Sequence, residues 1–365
     1  MENDDIFVMK LGFDDDSKQY YQQHKVEINK FHSRFHREVR ETAKLTKCYV
    51  CGKECTSFCK SHSVPQFCLK RIALGGKVYS SGIQQDVPLM GEDTGIKEAG
   101  TFQIICRDCD SRLFQDYETP TAYQTPPSGK VLAQIALKNY LQMISKRFQE
   151  RVLYSKLSGT SPMISFGKHQ KTIELDVTEF DSGYERAKIA ASGGHDDWFH
   201  LCYYKKLDYV VPFATQTPII LIGDFEGNVV NDIYNMSADY HPKDFHIAVF
   251  PLENSSVILV FFDKRNKRYR KFSKQLRKLD EEDQLASINY IIHSYTENVF
   301  LSKYIDEKVL KNRNFRSVSQ TTDIVIAPDT TNTNSLAIVL KEHDLSRRND
   351  IPNLLSAQYA LDIPD

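Results

Sequence analysis

Two Cys-x-x-Cys pairs, Cys48/Cys51 and Cys106/Cys109, stand on either side of the segment Lys60-Ser61-His62-Ser63-Val64-Pro65. Two cysteines at this spacing can turn their sulfurs to one ion. Four thiolates close a tetrahedral zinc site with no open coordination position. Gly52 follows the first pair, where a left-handed residue lets backbone amides turn toward the sulfurs. Asp110, a capping-type residue, follows the second pair and leads into Ser111-Arg112-Leu113-Phe114, so a helix is expected to start there. A knuckle on a hairpin combined with a knuckle at a helix start is a zinc-bound treble-clef (ββα) module. Cys48, Cys51, Cys106 and Cys109 are therefore expected to share one structural Zn²⁺. The grouping Cys48/Cys51/Cys55/Cys59 competes with it on spacing alone, and Cys68 reads as a core thiol in an apolar stretch.

Other groups could also do chemistry. His32 and His36, at i and i+4, could share a metal, but with no third ligand in sight a solvated helix face is the better reading. The run Lys264–Lys278 is densely basic with Tyr269 and Phe272 interleaved. Its Arg265, Lys267, Arg268, Arg270, Lys271 and Lys274 are candidates for nucleic-acid phosphate contact, set against a plain solvated helix face. His195, Asp196, Asp197 and His200 surround Trp198, the single tryptophan, where a turn into a strand is the simpler reading. Asp224-Phe225-Glu226-Gly227-Asn228 has the form of a hairpin tip. Phosphate-binding, dinucleotide-binding and nucleophile-elbow motifs do not occur, which removes ATPase, NAD-enzyme and serine-hydrolase readings.

The elements that must carry these residues are legible in outline. The chain has 365 residues, 41% of them hydrophobic, and a formal net charge of −1. That length suggests two domains and a small third, and that charge means any anionic partner must be met by a local patch. Ser17 to Lys44 is expected to be a helix capped by Ser17, with Tyr21, His24, Ile28, Phe31 and Phe35 on one face. Gly75-Gly76 predicts a hairpin over Ile72–Tyr79, and 82–100 reads as a turn-rich insertion. After Thr125-Pro126-Pro127-Ser128 a helix is expected, with Leu137, Leu141, Ile144 and Phe148 as its apolar positions. Further on, strands are expected at Thr172–Val177, Phe199–Tyr204, Pro218–Ile222, Phe245–Phe250, Val257–Phe262, Asp323–Ile326 and Ser335–Leu340. Helices are expected at Arg268–Leu279, Glu282–Leu301 and Lys303–Lys311. Without clean strand–helix alternation the fold class is α+β. The expected organisation is an acidic lead-in and amphipathic helix over 1–46, the zinc module over 47–118, a linker and bridging helix over 119–155, and a larger mixed α+β domain over 156–365. No apolar run reaches membrane-spanning length, and the acidic N-terminus is unlike a secretory leader, so a cytoplasmic protein with reduced cysteines is expected.

The order knuckle, His-x-x-Pro, knuckle resembles the HNH endonuclease family, over about residues 47–118. The resemblance implies that His62 is a general base activating water beside a scissile phosphate and that Asp110 is a ligand to a catalytic Mg²⁺ or Mn²⁺. It also implies a place in bacterial or phage defence. This chain departs from that pattern in three places. Ser61 precedes the histidine where a metal-binding carboxylate is usual, no asparagine lies between Pro65 and Cys106, and Phe114 holds the late polar position. Two functions therefore follow. One is a metal-dependent nuclease; the other is a zinc scaffold that has lost the cleavage centre and binds nucleic acid, a protein partner or a second copy of itself.

Overall fold

The computed structural model describes residues 8–9, 15–85, 93–157, 166–235, 237, 239–323, 325–326 and 332–362. In chain order the elements are β1 (Val8–Met9), α1 (Asp15–Thr42), β2 (Ser61–His62), α2 (Gln66–Ile72), β3 (Lys77–Tyr79), α3 (Gly82–Gln85), β4 (Asp93–Gly95), β5 (Thr101–Phe102), α4 (Arg107–Phe114), α5 (Gly129–Leu157) and α6 (Phe166–Ala191). They continue with β6 (Phe199–Leu207), β7 (Phe213–Ile219), β8 (Phe245–Pro251), β9 (Ser256–Asp263), α7 (Tyr269–Leu276), α8 (Glu281–Tyr295), β10 (Val299–Leu301), α9 (Glu307–Leu310), α10 (Arg313–Ser319), β11 (Val325–Ile326) and α11 (Asn332–Glu342). The chain is mixed α+β.

Two compact units emerge. One comprises Gln19–Pro65 and Gly100–Phe199; the other comprises Met1–Lys18, Gln66–Ala99 and His200–Asp365. This division differs from the linear segments read off the sequence, because the stretch between the knuckles is split between the two units.

In the first unit β2 and β5 form an antiparallel pair in which Ser61 faces Phe102 and His62 faces Thr101. Helix α4 follows directly. Helix α5 is apolar nearly all round in its first half, as expected of a helix buried on every side, and Val131–Gln142 is accordingly buried. It packs along α6, and the approach is close: a Cβ at Gly183 would lie 2.4 Å from the Tyr140 ring. Helix α1 begins at Asp15, so Ser17 lies inside its first turn rather than capping it. Tyr21 is buried, whereas Phe31 on the expected apolar face remains exposed.

The second unit is built on a seven-stranded sheet of order β4-β3-β10-β7-β8-β9-β6. The pairs β3–β4, β3–β10, β10–β7, β7–β8 and β8–β9 are antiparallel. Every residue of β8 is buried, which is why Phe245–Pro251 reads as a continuous apolar run rather than an alternating one. Phe245, Ile247, Val260 and Phe262 pack with Tyr269, Phe272 and Leu276 of α7 and with Ile288 and Ile291 of α8.

Several expected elements change. Residues 172–177 lie in α6 and 335–340 in α11; a segment of strand length also fits part of a helix. Helix α8 stops at Tyr295, because Thr296 turns extended and Val299-Phe300-Leu301 pairs with β7 instead. The strand expected at 218–222 lies earlier, at Phe213–Ile219. Gly75 and Gly76 both adopt positive φ in a turn closed by mutual Leu74–Lys77 hydrogen bonds, but the chain before it is helix α2 rather than a full strand.

Candidate metal centre

The four sulfurs of Cys48, Cys51, Cys106 and Cys109 lie within 4.8 Å of one another and are placed to bind a metal ion. Cys51 Sγ and Cys106 Sγ are 4.0 Å apart. A zinc ion with Zn–S bonds of about 2.3 Å sets tetrahedral sulfurs about 3.8 Å apart, so the donor set fits structural zinc. The first knuckle is held by backbone bonds from Gly52 N–H to Cys48 O (2.8 Å) and from Cys48 N–H to Lys53 O (2.8 Å), with Gly52 at φ +69°. The second knuckle opens α4, with Cys106 as its extended N-cap, so the positive end of the helix faces the thiolates. The Cys106 N–H also donates to Cys48 Sγ at 3.3 Å. Burial raises the Cys48 thiol, but the backbone amides of Cys106, Cys51 and Val50 more than reverse this and bring it to about 7. Burial, with the neighbouring thiols, instead raises Cys106 and Cys109, so the amides favour the thiolate at Cys48.

The competing cysteines point elsewhere. Cys55 donates to Lys53 O, and Cys59 donates to Asp110 Oδ2 at 3.4 Å. Among the described residues, the four-cysteine set is the one group of three or more His, Cys, Asp or Glu side chains close enough to share an ion.

The knuckle is anchored by its second residue. Tyr49 Oη donates to Asp181 Oδ1 of α6 at 2.6 Å, and its ring meets those of Tyr184 and Phe148 edge-on.

Asp110 sits behind the metal centre. Its Oδ1 accepts from Ser61 Oγ at 2.6 Å and from Lys138 Nζ at 3.0 Å. Lys138 is fully buried in α5, and its ammonium also donates to Ser61 Oγ (2.8 Å) and Glu118 Oε1 (3.2 Å). The Nζ lies 3.7 Å from the centre of the Phe114 ring. Burial disfavours the Asp110 carboxylate, but Lys138, Ser61 and Cys59 outweigh it and hold the carboxyl below its ordinary range. Conversely, burial and the Asp110 charge push the Cys59 thiol up to about 11.

His62 lies on β2, half-buried. Successive residues of a strand point to opposite faces, and directly opposed residues share a face. Ser61 shares the buried face with Phe102, whereas His62 shares the other face with Thr101. Strand geometry therefore brings Asp110 to Ser61 and Lys138 and turns His62 away from that cluster.

The basic segment forms α7 and its approach. Tyr269, Phe272, Ser273 and Leu276 are buried, while Lys267, Arg270, Lys274 and Arg277 recur on the exposed face. Three of the six candidate phosphate contacts are engaged internally. Arg265 pairs with Asp263 (2.9 Å), Lys271 with Glu226 (2.8 Å) and Asp224 (3.2 Å), and Arg268 lies over the Tyr240 ring and donates to Asn231. Among the described residues no ion pair engages Lys267, Arg270 or Lys274. Burial, followed by the charges of Arg277, Lys264 and Arg270, lowers the His200 pKa, so these cations converge around one exposed histidine.

The remaining candidates resolve into structure. The His32 and His36 rings lie 4.1 Å apart, and no third ligand joins them among the described residues. Trp198 is stacked on His195 and lies under the Arg186 guanidinium. Asp224 caps its own turn, accepting from the Glu226 and Asn228 amides. Sequence reasoning missed Lys138, although a lysine inside the mostly apolar stretch Val131–Leu141 is a visible signal. Asp181, the anchor of Tyr49, carries no signal in the sequence.

No protein-family model, curated protein or solved structure matches this chain at a significant level. No described helix is long and apolar enough to cross a membrane.

Proposed function

We propose that this chain is a zinc-stapled protein that binds nucleic-acid phosphates through the exposed face of α7. The observation that carries the reading is the set Lys267, Arg270, Lys274 and Arg277, exposed at three- and four-residue steps along α7 and the turns at its two ends, with Tyr269, Phe272 and Leu276 anchoring the helix's opposite face. Cations fixed at this spacing match a row of phosphates, and the exposed Lys264 widens the patch. In a chain of net charge −1, such a local concentration is what a phosphate partner would require. The Zn²⁺ assigned to the four cysteines is structural, since four thiolates leave no position for substrate.

The test is the salt dependence of binding to labelled single-stranded and duplex oligonucleotides. An Arg270→Glu/Lys274→Glu protein should bind at least tenfold more weakly. It should also lose about two from the slope of log affinity against log salt. Unchanged affinity and slope would dismiss the reading.

The nuclease reading rests on His62, half-buried on a strand beside the metal centre. It predicts plasmid nicking with Mg²⁺ or Mn²⁺ that His62→Ala abolishes. The engagement of Asp110 by Ser61 and Lys138 weighs against it, because the carboxylate assigned to the catalytic ion is already paired.

A further inference from the structure

Lys138 is the least expected charge in the molecule. Its side chain is fully buried on a helix whose buried residues are mostly apolar. An ammonium has three N–H donors and no acceptor. Here the three donors meet three oxygens: Ser61 Oγ at 2.8 Å, Asp110 Oδ1 at 3.0 Å and Glu118 Oε1 at 3.2 Å. The Phe114 ring covers the same nitrogen at 3.7 Å. An ion buried this deeply persists only when pairing and hydrogen bonds replace its water shell.

The donor set is informative in itself. Two carboxylates and a hydroxyl are the hard oxygen ligands that suit Mg²⁺ or Mn²⁺. In this chain they converge on a nitrogen. The Ser61–Lys138 pair is not arranged as a nucleophile and its base, because the Ser61 hydroxyl gives its proton to Asp110 and accepts one from the amine.

The geometry points to Lys138 as a resident cation. Its ammonium fills the oxygen pocket of Ser61, Asp110 and Glu118 in place of a divalent ion, and the pocket becomes a metal site once the amine is removed. This inference does not rest on the phosphate-binding reading. It concerns a different unit, and its readout is metal binding rather than nucleic-acid affinity, so either can fail alone.

The experiment titrates Mn²⁺ into zinc-loaded protein and follows the loss of the free-ion electron paramagnetic resonance signal. Wild type should leave Mn²⁺ free at concentrations where Lys138→Ala binds one ion per chain. Saturating Mn²⁺ should raise the Tm of Lys138→Ala by roughly 5 °C and leave wild type unmoved. Lys138→Ala/Asp110→Asn should lose both effects. A folded, zinc-retaining Lys138→Ala that ignores Mn²⁺ would overturn the inference. So would a wild-type protein that binds Mn²⁺ in a manner abolished by Asp110→Asn, and this arm needs no change at Lys138. Should Lys138→Ala not fold, Lys138→Gln carries the same test, because its neutral amide can itself ligate an ion.

Discussion

Tyr49 and Asp181, 132 positions apart, share a 2.6 Å hydrogen bond that ties the first zinc knuckle to helix α6. A bond to a carboxylate is worth about 1.5–3 kcal/mol. Tyr49→Phe should therefore lower the stability of that unit by about 2 kcal/mol. It should also speed zinc release to a chromogenic chelator. Identical release rates for the two proteins would mean that the anchor does not hold the knuckle.

Cysteine replacement separates the two possible metal sets. Wild type should carry about one zinc per chain by elemental analysis. Cys106→Ser should lose it and destabilise its unit, because a thiolate ligand disappears from a closed site. Cys55→Ser should keep full zinc, since that thiol points to Lys53 O. Zinc retained in Cys106→Ser would refute the shared site.

Helix packing offers a sharp steric test. Gly183→Ala would gain up to about 1 kcal/mol in helix propensity. Its new methyl, however, would sit 2.4 Å from the buried Tyr140 ring. Overpacking of this kind costs typically 1–3 kcal/mol, so a net loss of about 1 kcal/mol is expected from denaturant midpoints. A gain in stability would show that the two helices separate without cost.

Acid should weaken the sheet unit through two buried histidines. Burial drops His246 and His293 to about 3, with Asp263 partly opposing the shift at His246. Both pKa values lie below the unfolded value of 6.5, so the unfolded chain binds more protons between these limits. Their stabilising effect is complete above pH 6.5 and is lost as pH falls toward 3, at about 1 kcal/mol per histidine per pH unit. Asp283, held below its ordinary carboxylate range by Arg348, keeps its contribution above that range and loses it as pH falls through and below it. Urea midpoints at pH 7 and pH 5 should show the decline, and His293→Leu should remove about half of its slope. A flat profile would contradict the neutral, buried state of these rings.

The parts of the molecule that were legible in sequence are those governed by local rules. Cysteine spacing located the four thiols placed to bind a metal ion, because each pair needs only a tight turn. The β8–β9 hairpin was equally visible, since Asn254-Ser255 interrupts two apolar runs. Residues 172–177 and 335–340 misled because six residues cannot distinguish a strand from part of a helix. Asp110 stood out in sequence only through the family resemblance, as a ligand to a catalytic ion; its partners Ser61 and Lys138 lie 49 and 28 residues away and meet it only through packing. The same limit hid the division of the chain, since Lys77–Tyr79 finds its partner at Val299–Leu301.

That last pairing governs how the protein must be made. The chain passes between its two units after Lys18, Pro65, Ala99 and Phe199. Strand β3 emerges early during synthesis, yet it waits for β10 before its edge of the sheet can close. The metal ligands meanwhile become complete at Cys109, long before that sheet is finished. The two units are therefore interleaved along the chain, and all four thiols are synthesised before β10. A fragment cut at 47–118 would retain all four thiols but carry β3 and β4 without their neighbour, exposing a strand edge prone to aggregation.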